Sequence, residues 1–234
     1  MRFTSRMPAA DSLREHYLAA KPVLRGWLHA VAAPLAGLAT VLLAILAPSQ
    51  LRIPAAIFAL TSVLLFSVSA IYHRGTWSPR VTAILQRWDH ANIFLVIAGS
   101  ATPFAAALLE PGPGRSLLAV LWLGAVGGAA IRLLWVRAPR WLFVPMYLAL
   151  GWASAMFLPA FLRSESLAAG RHAWVLGLIV LGGLFYTLGA GVFATKWPNP
   201  SPRWFGFHEV FHSFTLGGWL SHFAAASLLV AGVR

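Results

Sequence analysis

Cysteine is absent from the 234 residues, which excludes disulfides and any metal site built on thiolates. Acidic residues are scarce, six Asp and Glu against 18 Lys and Arg. All charged residues together make up 10% of the chain, where a soluble domain carries about 25%. A water-facing globular surface cannot be built from so few. No long polar linker interrupts the chain, so the one division is between residues 1–25, an amino-terminal segment, and residues 26–234. Strand-like alternation of apolar and polar residues is missing too, which argues against a transmembrane barrel. The first 25 residues contain no apolar core followed by a cleavage site, so a cleaved signal peptide is not expected.

What fills the chain is apolar: 59% of the residues are hydrophobic, and the mean hydropathy is +0.73. A spanning helix needs roughly 20 such residues. Seven windows qualify, over 26–47, 53–73, 90–109, 116–136, 141–162, 173–195 and 207–231. In lipid each must satisfy its own backbone, which a helix does. The fold class is therefore an all-α membrane protein, a seven-transmembrane-helix bundle.

The net charge of +12 invites a nucleic-acid partner, but its distribution points to lipid. With the N-terminus cytoplasmic and the C-terminus outside, thirteen Lys and Arg fall on the inner side and five on the outer. That is the positive-inside bias of a multi-pass protein, with the inner cations free to meet anionic lipid heads. Residues Asp11 to Arg25 read as a short surface helix. Nothing in the chain fixes an oligomeric state.

Ionisable residues inside spans are expensive, so they are the informative ones. Span two ends on the cytoplasmic side with Ser69-Ala70-Ile71-Tyr72-His73. Span three starts there with Asp89-His90-Ala91-Asn92, and span seven with His208-Glu209-Val210-Phe211-His212. Topology alone brings these groups to one depth. His208 and His212, four apart, share a helical face. With His73 they supply three nitrogens for a Zn2+ ion and leave a fourth tetrahedral position for water. Asp89 would hold that water or orient an imidazole, and Ser69, one turn below His73, would donate a hydrogen bond. The plain alternative is a hydrogen-bonded His pair near an interface.

The other histidines divide by position. His29, at the inner start of span one, is a reserve candidate for the site. His90 should face elsewhere, and His222, about 21 Å from His208 along the helix, should pack on the outer side. His16 and His172 should be solvated. His208 to His212 also fits HExxH, in which the Glu is the general base of a metalloprotease. Such a site in a membrane wants a distant Asp ligand within its own motif, which Asp89 lacks, and Glu209 is expected to pair with Arg203 or Arg87 instead.

Several separated segments resemble the bacterial hemolysin III family, in order and over nearly all seven spans. They are Ser69 to His73, Asp89 to Phe94, Ala98 to Phe104, and Gly206 to His212 with Gly217-Gly218 and Ser221-His222-Phe223. That family is related to the progestin and adiponectin receptors and, more distantly, to the alkaline ceramidases. The resemblance implies zinc held by His73, His208 and His212, with Asp89 and Ser69 beside it. It also implies a bacterial plasma membrane, a role in membrane-lipid homeostasis and, through the ceramidases, hydrolysis of a lipid amide or ester with Asp89 and Ser69 as catalytic residues. Ser100-Ala101-Thr102-Pro103 and Ser213-Phe214-Thr215-Leu216 depart from the family pattern, which bears on the shape of any lipid pocket. The competing reading is a receptor-like or structural protein in which zinc only clamps helices. A cytolysin follows from the family name alone.

Overall fold

The computed structural model describes residues 21–135 and 139–233. Among them, seven helices are long and apolar enough to cross a membrane, and no β-strand occurs beyond one isolated bridge between Ser201 and Phe205. They are α1 (Trp27–Leu46), α2 (Ser49–Arg74), α3 (Pro79–Leu108), α4 (Pro111–Leu134), α5 (Arg140–Leu162), α6 (Ala169–Thr195) and α7 (Phe207–Val230). Of the expected amino-terminal surface helix, residues 11–20 lie outside the described set, and the remainder from Lys21 is a turn rather than a helix.

Several helices begin earlier than hydropathy alone suggests. Prolines at the first helical position start α3 at Pro79 and α4 at Pro111, because a missing N–H costs nothing there. Ser78 caps α3 by accepting the Val81 N–H at 3.4 Å. Asp89 and His90 consequently lie well inside α3 rather than at its start. Helix α6 likewise begins at Ala169, so His172 sits in its first turn and is buried, only 9% exposed. The expected solvated loop histidine is corrected to a packed helical one.

The helices follow one another around the bundle, with α1 against α2, α2 against α3, α3 against α4, and α6 against α7, while α7 closes back onto α1. Helix α3 is the most enclosed, 67% of its apolar window being buried, against 22% for α5. Helix α5 is also the irregular one, passing through a 3-10 stretch at Ala153–Phe157. Its looser fit leaves room between α3, α5, α6 and α7.

Polar cross-links set the register of the helices that matter below. The Trp219 indole donates to Ser62 Oγ at 2.8 Å, tying α7 to α2 in the core. Asn92 Nδ2 donates to the Leu64 carbonyl at 3.2 Å, tying α3 to α2. Tyr147 Oη donates to the His90 carbonyl at 3.0 Å, tying α5 to α3. In hydrocarbon such bonds have little water to compete with them.

Candidate metal centre

The last turn of α2 and the first two turns of α7 meet at one end of the bundle, and their imidazoles converge there. His73 and His212 are buried and His208 is half-buried. One ring nitrogen from each of the three lies within 4.8 Å of the others. His73 Nε2 and His208 Nε2 face each other at 3.1 Å, near the roughly 3.3 Å that two nitrogens keep on a tetrahedral zinc with bonds of about 2.0–2.1 Å. His212 leans into the same space, its ring centroid 4.5 Å from that of His208 and 5.2 Å from that of His73. Its Nδ1 is buried with no hydrogen-bond partner among the described residues. Three imidazole nitrogens are a donor set that fits a borderline-soft divalent cation. This buried group could hold a metal ion.

Asp89 Oδ2 approaches His73 Nε2 at 3.7 Å. That is the nitrogen turned toward His208, not the one behind the ring. The carboxylate therefore stands on the open side of the histidine cluster, where it can hold a small polar molecule, rather than bracing an imidazole from the rear. Ser69 is buried one turn below His73 and lines the same cavity as Asp89.

His29 adjoins the cluster without joining it. Its ring stacks on His212 with centroids 3.8 Å apart and planes 5° apart, and both its nitrogens are buried without a partner among the described residues. It forms a wall of the site. His90 does not enter the cluster either: its Nδ1 meets the Arg132 guanidinium. His222 lies deep along α7, half-buried, with Nδ1 3.2 Å from Ser100 Oγ. His16 lies outside the described residues.

Glu209 answers the HExxH question. Its side chain is 1% exposed, and Oε1 is paired with the Arg25 guanidinium. Oε2 accepts the Gly206 N–H at 2.8 Å, capping α7. Both oxygens are engaged by partners outside the histidine cluster. The expected partners Arg203 and Arg87 are thus corrected to Arg25. The reason is the turn at residues 21–26, which docks on the segment before α7 through Val23 N–H to Arg203 O at 2.9 Å and Leu24 N–H to Trp204 O at 3.1 Å. That turn carries Arg25 over the helix start.

Gly26 makes the docking possible. Its φ of 79° is left-handed, and a Cβ there would stand 2.7 Å from His73 Cβ. Sequence reasoning missed Arg25 and Gly26 because nothing in a run of tail residues marks which of them folds back. Arg132, counted only as one of the thirteen inner-side cations, is buried in the last turn of α4.

From the cluster an elongated cavity of about 250 Å³ runs between α3, α5, α6 and α7. It is bounded by His208 and His212 at one end and reaches His222 and Phe161. The His208 to His222 separation corresponds to about 21 Å at 1.5 Å per residue, longer than the roughly 15 Å of one leaflet's hydrocarbon. The walls are mainly apolar, among them Ile93, Ile97 and Leu148.

The sequence compares accordingly. A family model described as Haemolysin-III related matches residues 17–223. The Hemolysin-3 homolog of Bacillus subtilis (strain 168) is 32% identical over 162 residues, covering 69% of this chain and 70% of the relative. Hemolysin-3 of Bacillus cereus is 29% identical over 162 residues, covering 69% and 68%. With seven spanning helices and a match across nearly its whole length, this chain belongs to the haemolysin-III-related family of multi-pass membrane proteins.

Proposed function

We infer that this protein is a zinc-dependent hydrolase of lipid amides or esters, acting at the cytoplasmic face of a bacterial plasma membrane in membrane-lipid homeostasis. The observation that carries this reading is the position of the three-histidine cluster. It opens onto a long apolar slot within the bundle, and a carboxylate, Asp89, lines that slot beside it. A purely structural cluster needs neither. The excess of Lys and Arg at the histidine end supports a cytoplasmic location.

His73, His208 and His212 would hold the ion. When bound, zinc supplies a Lewis acid that polarises a carbonyl and lowers the pKa of water to about 7. The chain's own residues do the rest. The slot takes the acyl chain from the bilayer and excludes bulk water, which strengthens the polar contacts at its mouth. Asp89 accepts the proton of the attacking water as its oxygen bonds to the carbonyl carbon. The C–N or C–O bond then breaks, and the same proton passes from Asp89 to the departing amine or alcohol. Ser69 donates a hydrogen bond to the carboxylate or the carbonyl. Glu209 has no part, since its oxygens are committed to Arg25 and Gly206, and this weighs against the protease alternative.

A second reading is favoured by a specific observation. The three histidines come from only two helices, α2 and α7, which are distant in the chain, so zinc could serve as a clamp between them. The two readings part on Asp89→Asn. As a hydrolase, the variant keeps its zinc and releases no fatty acid from ceramide-like or ester lipids that the wild type cleaves. Wild-type protein that holds zinc and cleaves none of these lipids leaves the clamp.

A further inference from the structure

A second cavity, about 360 Å³, opens at the histidine end. It adjoins the apolar slot, since both are lined by His90, His208, Tyr147 and Phe193. Four cations line it, Lys21, Arg25, Arg132 and Arg140, and among the described residues no carboxylate does. Among the described residues, only Arg25 of the four has an acidic partner, Glu209. Of the other carboxylates among the described residues, Asp89 is beside His73, and Glu110 and Glu165 lie in the connections at the opposite end of the bundle.

Arg132 is the telling member. It is 8% exposed. One terminal nitrogen meets His90 Nδ1, and the guanidinium carbon lies 4.6 Å from the Phe143 ring. Its Nε and second terminal nitrogen are buried with no acceptor among the described residues. An ionised group held out of water needs a counter-charge or its full complement of hydrogen bonds. Here a permanently charged fork sits at a cavity with two donors unspent among the described residues, and Arg140 lines the same cavity, over the face of Phe193 at 4.9 Å. Planar forks of this kind suit the oxygens of a phosphate or carboxylate.

We propose that this vestibule is an oxyanion site, so that the ligand passing the three histidines is an amphiphile with its acyl chain in the apolar slot and a phosphate-type anionic group between Arg132 and Arg140. The substrate class narrows to acyl amides or esters whose departing amine or alcohol is itself anionic. After cleavage the fatty acid remains in the slot, and the anionic fragment leaves through the vestibule to water. Only this last narrowing rests on the hydrolase reading. The oxyanion site itself does not.

The test uses full-length protein in neutral detergent, loaded with zinc. Binding of phosphatidic acid and of diacylglycerol with the same chains is compared by native mass spectrometry, and inorganic phosphate is added as competitor and as a thermal-shift ligand. Phosphatidic acid is expected to bind about tenfold or more tightly than diacylglycerol, the least that two charge-assisted hydrogen bonds should supply. Arg132→Gln and Arg140→Gln each abolish most of that preference while zinc content stays at the wild-type level. Arg140→Gln, at the start of α5, serves if the buried substitution does not fold. Competition by inorganic phosphate shows a site for the free oxyanion as well. Selectivity for phosphatidic acid without such competition shows a lipid headgroup site. Equal binding of the two lipids with no thermal shift from phosphate overturns the proposal, as does a preference that survives both substitutions. Charge selectivity in a protein that hydrolyses nothing removes only the hydrolase reading. Zinc-dependent hydrolysis indifferent to headgroup charge removes only the vestibule.

Discussion

His208 and Glu209 are neighbours in the first turn of α7, and the structure puts them to opposite uses. The imidazole side faces His73, His212 and Asp89 across a buried space. The carboxylate side is spent on the helix N-terminus and on Arg25, carried in by the turn before α1. A motif read along the sequence as one catalytic unit is divided into a ligand face and an adjacent fastening face, set apart by their partners. A sequence match of the HExxH kind therefore says little until the direction of its glutamate is known.

Substitutions on the two faces should separate metal binding from stability. The largest effect falls on the ligand face. His208→Ala or His73→Ala should weaken zinc binding by more than about 100-fold, beyond what loss of a residue behind a ligand produces, with His73→Ala costing at least as much as His212→Ala in metal titrations of purified protein. Glu209→Gln should do the reverse. Zinc stoichiometry holds, while unfolding free energy drops by roughly 3 kcal/mol, the low end for a broken buried pair, because the Arg25 side chain is 18% exposed. Reversible denaturation in detergent measures it.

Gly26→Ala blurs the boundary, because the residue touches both faces. It should cost about 1–2 kcal/mol for the left-handed backbone and also lower zinc affinity, since the new methyl displaces His73. Asp89→Asn should leave the fold intact and reduce zinc affinity about tenfold at most, a smaller effect on the metal than loss of a histidine and the decisive one for turnover.

The apolar architecture was legible because the hydropathy of seven windows is a bulk property, insensitive to any one contact. The convergence of His73, Asp89, His208 and His212 on one end was legible for a related reason: an even helix's end and an odd helix's start share a membrane face. What could not be read was direction at the scale of a side chain. His29 was reachable as a position, but its stack on His212 depends on how α1 leans on α7. Arg25 pairs with Glu209 only because Gly26 permits a left-handed turn against His73. Helix starts were misjudged where Pro79 and Pro111, which precede the windows opening at 90 and 116, begin helices instead. The burial of Arg132 is hidden for the same reason as its neighbours' exposure: charge at a helix end reads alike whether it faces water or a cavity.

The central claim is that three imidazoles at one end of this bundle bind one zinc ion, and elemental analysis of the purified, metal-replete protein tests it most directly. Near one zinc per chain in the wild type, lost in the His73→Ala and His208→Ala proteins and kept in Glu209→Gln, is the result predicted here. Folded wild-type protein that takes up no zinc, or that keeps it when both His73 and His208 are removed, contradicts it.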